Sequence, residues 1–250
     1  MKLRERVINL DLKVFPTWQM VEKNELRGSY AVVIDVLRAT NTIITALANG
    51  AKEIIPVPEI EIAWEMKKEN PSYLLGGERG AQKISGFDLG NSPLEYSPEV
   101  VFNRGIIFTT SNGSRALNSS SKADMVCVAS LANSKALAKF LANSLKNLTI
   151  VCAGTLGNPS LEDTLAAGKI IEEILALEKN YHLNDFGYIS LSTYLQNKAN
   201  IFQAISSSPN GQKLKKLNMS EDIEYCSLMD QTEIIPIFKD GNISNYPRIL

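Results

Sequence analysis

The stretch Tyr30–Gly50, YAVVIDVLRATNTIITALANG, decides the fold class. It opens with a continuous apolar run from Tyr30 to Ile34, rich in β-branched residues and without alternating polar positions. Such a run suits a strand buried on both faces of a sheet. The run stops at Asp35. Arg38, Thr40 and Asn41 follow, then Ile43, Ile44, Leu47 and Ala48 recur at helical spacing until Gly50 offers a left-handed stop. Asp35 and Arg38 therefore stand where a strand hands over to a helix. In open α/β sheets, ligands bind at those carboxyl ends. A carboxylate there can hold a metal, and a helix start can hold an anion. Equally, Asp35 can cap the helix and Arg38 can pair with it.

Outward from this unit, strand, polar turn and helix alternate. Val7–Leu12 is expected to be a half-exposed strand, followed by an irregular segment, Phe15–Gly28. Further strands are expected at Glu53–Val57, Tyr73–Leu75, Gly105–Thr110, Met125–Ala129 and Leu148–Cys152. Helices are expected at Glu59–Asn70, Pro93–Val101, Ser134–Leu145 and Leu161–Lys179. Residues 76–93, GGERGAQKISGFDLGNSP, hold five glycines and little periodicity. They predict a long loop, and Glu78, Arg79, Lys83, Asp88 and Asn91 give it the composition of an active-site loop. Past His182, helices are expected at Ser190–Ser206, Gln212–Leu217 and Ser220–Leu228. Glu233–Phe238 reads as a last strand, put at an edge by Pro236. No repeat at a fixed period stands out. The pattern predicts one α/β domain over residues 1–250. Its architecture is a three-layer α/β/α sandwich with a mostly parallel or mixed sheet, and residues 180–232 form a helical elaboration.

Bulk properties narrow the function. Apolar residues make up 44% of the chain, and 26 basic against 27 acidic residues leave a net charge of −1. Such a balance gives no pull towards nucleic acid or an anionic membrane. The first ten residues carry charge too early for a signal peptide, and no apolar stretch approaches a membrane span. Cys127, Cys152 and Cys226 are too scattered for a disulfide framework or a zinc site, so a cytoplasmic protein is expected. His182 is the one histidine and sits in a polar turn. Phosphohistidine, Ser-His-Asp and histidine-rich metal chemistry therefore have little footing. Catalysis is left to carboxylates, arginines and backbone amides.

Four expected strand ends carry polar groups. They are Asp35 with Arg38, Glu78 with Arg79, Ser111 and Asn112 with Arg115, and Gly154 leading to Glu162 and Asp163. In a parallel sheet they would converge on one edge. Magnesium commonly takes one or two carboxylates and keeps several waters. Arginine grips phosphate as a fork, and the turn Ser111–Arg115 can offer amides to an anion. Plainer readings exist for each: Glu162 and Asp163 as first-turn acids, Asn112-Gly113 as a turn, Arg79 as a solvated charge. Asp35-Val36-Leu37 lacks the second aspartate of haloacid-dehalogenase phosphatases. Cys152 is followed by Asn158 where a cysteine phosphatase needs arginine, and no Walker loop is present.

Four segments share one resemblance: VVIDVLRATNTI (32–43), LLGGERGAQKISGFDLGNSPLEY (74–96), FTTSNGSRAL (108–117) and VCAGTLGNPSLEDTLAAG (151–168). In order and spacing they resemble the 2-phosphosulfolactate phosphatases over about residues 30–170. Ser111 and Ser114 stand where threonines are expected, and keep the hydroxyl. The resemblance implies a magnesium-dependent acid phosphatase that converts 2-phospho-3-sulfolactate to 3-sulfolactate and phosphate, an early step where coenzyme M is made. With it, Asp35, Arg38 and Glu78 become expected catalytic residues, and Asp35, Glu162 and Asp163 expected magnesium ligands. Expected substrate contacts are Arg38, Arg79, Asn91, Ser111, Asn112, Gly113, Arg115 and Gly154. Competing readings are a phosphatase for another small phosphorylated acid, a non-catalytic binder of anionic metabolites, and a generic nucleotide-binding protein. The expected partner is a small anionic substrate, with no nucleic acid or membrane, and a homodimer follows from the general frequency of twofold oligomers.

Overall fold

A computed structural model describes residues 10–22, 24–178 and 180–246, and its strands form one eleven-stranded sheet. The strands are β1 (Leu10–Phe15), β2 (Ser29–Ile34), β3 (Glu53–Pro56), β4 (Leu74–Arg79), β5 (Gln82–Lys83), β6 (Gly105–Thr109), β7 (Met125–Ala129), β8 (Asn147–Cys152), β9 (Tyr181–Leu183), β10 (Pro236–Lys239) and β11 (Asn242–Asn245). The helices are α1 (Ala39–Ala48), α2 (Ile60–Glu69), α3 (Pro98–Val101), α4 (Gly113–Ser119), α5 (Ser134–Ala142), α6 (Leu161–Leu177), α7 (Asp185–Asn197), α8 (Ile201–Ser207), α9 (Pro209–Lys216) and α10 (Ser220–Cys226). The expected strand at Val7 and the expected helix end at Lys179 fall partly outside the described residues.

The sheet order is β5-β4-β6-β3-β11-β10-β7-β2-β8-β1-β9. Strands β7, β2, β8, β1 and β9 are mutually parallel, as are β3, β6 and β4. The antiparallel hairpin β10–β11 joins the two groups and pairs antiparallel with β7 and β3. The fold is thus an α/β/α sandwich with a mixed sheet, whose two parallel halves run in opposite directions.

The order hides a duplication. The segment β2-α1-β3-α2-β4 is answered by β6-α4-β7-α5-β8, and each first strand lies between the second and third strands of the other segment. Read from either end, β8-β2-β7-β10 matches β4-β6-β3-β11. The sequence carries a trace of this: LGNSPLE at 89–95 and LGNPSLE at 156–162 follow the third strand of each repeat. No fixed period betrays it, because the intervening loops differ in length.

Opposed halves would send their carboxyl ends to opposite edges of a flat sheet. Twist of about 20–25° per strand, over the five steps from β2 to β6, accumulates to roughly 100–125°. One face of both halves then shares a single core with α1 and α4, built from Val33, Val128, Ile106, Phe108, Ile43 and Leu117. Helix α1 is buried from Ala39 to Leu47, as expected of a helix enclosed on all sides. Helices α5 to α8 cover the outer face of the β2 half, and α2 covers that of the β6 half.

Several expectations change: strands β5 and β9 were not expected, and the helix expected at Ser190–Ser206 is divided between α7 and α8. The glycine-rich segment starts as strand, since β4 continues through Gly76 and Gly77 to Arg79. Those glycines permit close approach: a Cβ would lie 2.3 Å from the Tyr96 hydroxyl at Gly76, and 2.0 Å from the Thr109 carbonyl oxygen at Gly77. Strand β10 is interior, not an edge. Pro236 is tolerated because it is the first residue, and pairing to β7 begins at Ile237. Strand β11 was not expected at all, although Asp240-Gly241, with φ of 51° and 82°, is the type I′ turn its residue pair favours.

Candidate active site

Each half of the sheet closes its working end with a buried carboxylate. Asp163, in the first turn of α6, accepts from the Val36 amide through Oδ1 (2.8 Å) and from the Gly154 amide through Oδ2 (3.1 Å). It ties the end of β2 to the end of β8. Glu78 on β4 accepts from the Ser111 amide (2.8 Å) and the Ala81 amide (2.7 Å), tying β4 to the turn after β6. The two strand-to-helix turns echo each other as well. The Asp35 amide donates to Thr40 Oγ1 (3.1 Å), and the Thr110 amide donates to Ser114 Oγ (3.1 Å).

The two working ends meet where α1 and α4 begin. A Cβ on Gly113 would lie 2.6 Å from the Ala39 Cβ and 2.9 Å from Asp35 Oδ2. Only glycine lets the helices start that close together. Above this junction is a cavity of about 390 Å³, lined by Asp35, Glu78, Glu162 and Asp163 among others. Burial pushes the Asp35 carboxyl from its ordinary 3.8 up to about 7; the Ala39 amide opposes the shift, and nearby Glu78 and Glu162 add to it. Burial also drives Asp163 well above the carboxylate range, with Asp35 and Glu162 reinforcing it. The site crowds negative charge in a poorly solvated place.

Some acceptors there remain open. Glu162 Oε1 accepts from Asn210 (2.6 Å), while its buried Oε2 has no partner among the described residues. Asn91 Oδ1 is similarly buried and unpartnered. Asp35 Oδ1 accepts weakly from the Ala39 amide (3.3 Å), and Oδ2, on the side of Gly113, accepts no hydrogen bond among the described residues. No three acidic, histidine or cysteine side chains form a ready-made metal shell among the described residues. Two carboxylates with free oxygens, Asp35 and Glu162, match magnesium better than a closed shell would, because that ion keeps most of its waters.

Arg38 lines the cavity and is almost wholly buried. Its NH1 forms an ion pair with Asp222 of α10, and its NH2 donates to the Ala81 carbonyl (2.6 Å). Ser92 Oγ donates to the other oxygen of Asp222 (2.5 Å). The arginine is thereby fixed between the β4–β5 turn and the C-terminal helices.

Of the expected site residues, the structure brings Asp35, Arg38, Glu78, Asn91, Ser111, Asn112, Gly154, Glu162 and Asp163 to one cavity. It does not bring Arg79, Arg115 or Gly113 into its lining. Arg79 follows Glu78 on β4, so its side chain takes the other face of the strand, where it donates to the Pro58 carbonyl and Thr109 Oγ1 (both 3.0 Å). Arg115 is exposed on α4 and pairs with Glu59 at 3.0 Å. Gly113 lies behind Asp35 as the contact between helices. Cys152 is buried and inert, its thiol driven up by burial first and Asp163 second. His182 is on the edge strand β9, away from the cavity. Sequence reasoning missed Asn210, Lys213 and Asp222. They come from helices far along the chain, and no local motif marks them.

A family model described as 2-phosphosulpholactate phosphatase matches residues 15–241. A protein of Caldanaerobacter subterraneus subsp. tengcongensis is 42% identical over 232 residues, covering 92% of this chain and 96% of its own. One from Clostridium perfringens (strain SM101) is 44% identical over 227 residues, covering 89% and 91%. One from Symbiobacterium thermophilum is 42% identical over 221 residues, covering 88% and 95%. Each of the three is named a probable 2-phosphosulfolactate phosphatase.

Proposed function

The chain belongs to the 2-phosphosulpholactate phosphatase family, and from that premise we propose that it hydrolyses 2-phospho-3-sulfolactate to 3-sulfolactate and phosphate with magnesium bound at Asp35 and Glu162. It is a phosphoric monoester hydrolase. The observation that carries the metal reading is the buried, unpartnered Oε2 of Glu162 in the same negatively crowded cavity as Asp35, whose Oδ2 accepts no hydrogen bond among the described residues. An ion bound there would neutralise charge on the phosphoryl oxygens.

The chain's own groups fall into two sets. Asp163 and Glu78 have both oxygens taken by backbone amides. They hold the loops in register and leave Asp35 and Glu162 to face the cavity. Arg38, oriented by Asp222 and Ala81, presents its remaining N–H edge to the phosphate. Asn91 and Asn112 offer amide contacts from the cavity wall. No helix among the described residues is long and apolar enough to cross a membrane. With three buried free thiols, we place the enzyme in the cytoplasm, and where coenzyme M is made this reaction would serve an early step.

Phosphate release tests the reading, with 2-phospho-3-sulfolactate, 2-phospholactate and an aryl phosphate compared in magnesium and in chelator. The expected result is metal-dependent turnover that prefers the sulfonated ester. Equal turnover of the three would keep the phosphatase and remove the named substrate. No turnover of any would favour a binder of anionic metabolites.

A further inference from the structure

Resting on the phosphatase reading above, we propose that Lys213 on α9 holds a substrate anion other than the phosphate and so sets selectivity for multiply charged esters. The argument begins with charge. The cavity wall already carries Asp35, Glu78, Glu162 and Asp163. A substrate with phosphate, carboxylate and sulfonate needs cations that the wall has not already neutralised. Arg38 is paired with Asp222. Arg79 is hydrogen-bonded to the backbone on the other face of β4, and Arg115 is paired with Glu59 outside the cavity. Lys213 lines the cavity, is exposed, and its ammonium has neither an ion pair nor a hydrogen bond among the described residues.

Its position is set by the start of α9. Ser208 caps the helix by accepting from the Gly211 amide (3.0 Å), and Pro209 occupies the first turn. Asn210 donates to Glu162 Oε1 (2.6 Å) and to Thr155 Oγ1 (2.7 Å), pinning that turn to the cavity wall. Residues three and four apart share a helix face, so Lys213 and Leu214 follow Asn210 over the cavity. Leu214 is buried and anchors the turn, while Lys213 is left free to reach in. A flexible ammonium suits a carboxylate or sulfonate at the mouth, where no fixed fork is required.

The test measures kcat/KM of the wild type, Lys213→Gln and Lys213→Glu on three esters. These are 2-phospho-3-sulfolactate, 2-phospholactate without the sulfonate, and 2-phosphooxyethanesulfonate without the carboxylate. The expected result is a loss through KM of about tenfold in K213Q, larger in K213E, on the esters carrying the held group relative to the ester lacking it. Which analogue escapes the loss identifies carboxylate or sulfonate, and either supports the proposal. Raised salt should narrow the wild type's selectivity more than the variant's, because a partly exposed charge contact is screened. Lys215→Gln, on another face of α9, should keep the wild-type ratios. Equal loss on all three esters, or no loss, overturns the assignment of Lys213 alone. A wild-type chain inert to all three overturns the phosphatase reading and this proposal with it.

Discussion

Replacing Asp35 with asparagine should remove activity and, in chelator, make the protein more stable. The carboxyl is held at about 7 against an ordinary 3.8, chiefly by burial. Between those values the folded chain keeps a proton that the unfolded chain has lost. Stability contributed at this site is therefore full below about pH 4 and falls as pH rises towards 7. At 1.36 kcal/mol per pH unit the full shift corresponds to about 4 kcal/mol. Asp35 is half-buried and lines the cavity, and solvent screening reduces this to about 2 kcal/mol. Asp35→Asn keeps the shape without the charge. Urea unfolding in chelator should place the variant about 2 kcal/mol above the wild type at pH 8, with the gap closing as pH falls to 4. Millimolar magnesium should narrow the gap at pH 8 by stabilising only the wild type. A wild type as stable as Asp35→Asn at pH 8 in chelator would refute the crowding argument.

Other outcomes follow from the same geometry. Asp222→Ala leaves Arg38 buried without its partner and should cost about 3–5 kcal/mol in unfolding free energy. Gly77→Ala should fail to fold or lose several kcal/mol, because its Cβ would meet the Thr109 carbonyl at 2.0 Å and its φ is +141°; soluble yield and circular dichroism check this. Arg115→Ala breaks only an exposed pair with Glu59 and should change kcat/KM less than about twofold and stability by less than about 1 kcal/mol. Asp163→Asn swaps an acceptor oxygen for a donor beside the Val36 or Gly154 amide and should lower kcat and stability together, by about 1–3 kcal/mol in the latter.

Legibility in the sequence followed the range of the interactions. The apolar run before Asp35 fixed a buried strand, and the alternation of strands and helices gave an α/β class, because both signals are local. Carboxylates at strand ends were visible for the same reason. Direction was not: the twist that lets opposed halves meet depends on the β10–β11 hairpin, which follows the rest of the sheet in the chain. Its Asp240-Gly241 turn was readable and was missed, as was the LGNSPLE and LGNPSLE echo. Arg79 could have been turned away on alternation alone, since Glu78 beside it faces the cavity. Arg115 was misplaced for a different reason: its neighbours at the turn line the cavity, but the first turn of α4 rotates it outward. Asn210, Lys213 and Asp222 had no local signature, because their place comes from the packing of α9 and α10 onto the site.

The most direct measurement is an anomalous difference map at the manganese edge from crystals grown with manganese in place of magnesium. A single strong peak between the carboxylates of Asp35 and Glu162, lost in Asp35→Asn, is the predicted result. A peak bound by neither residue, or none at millimolar metal, would contradict the account.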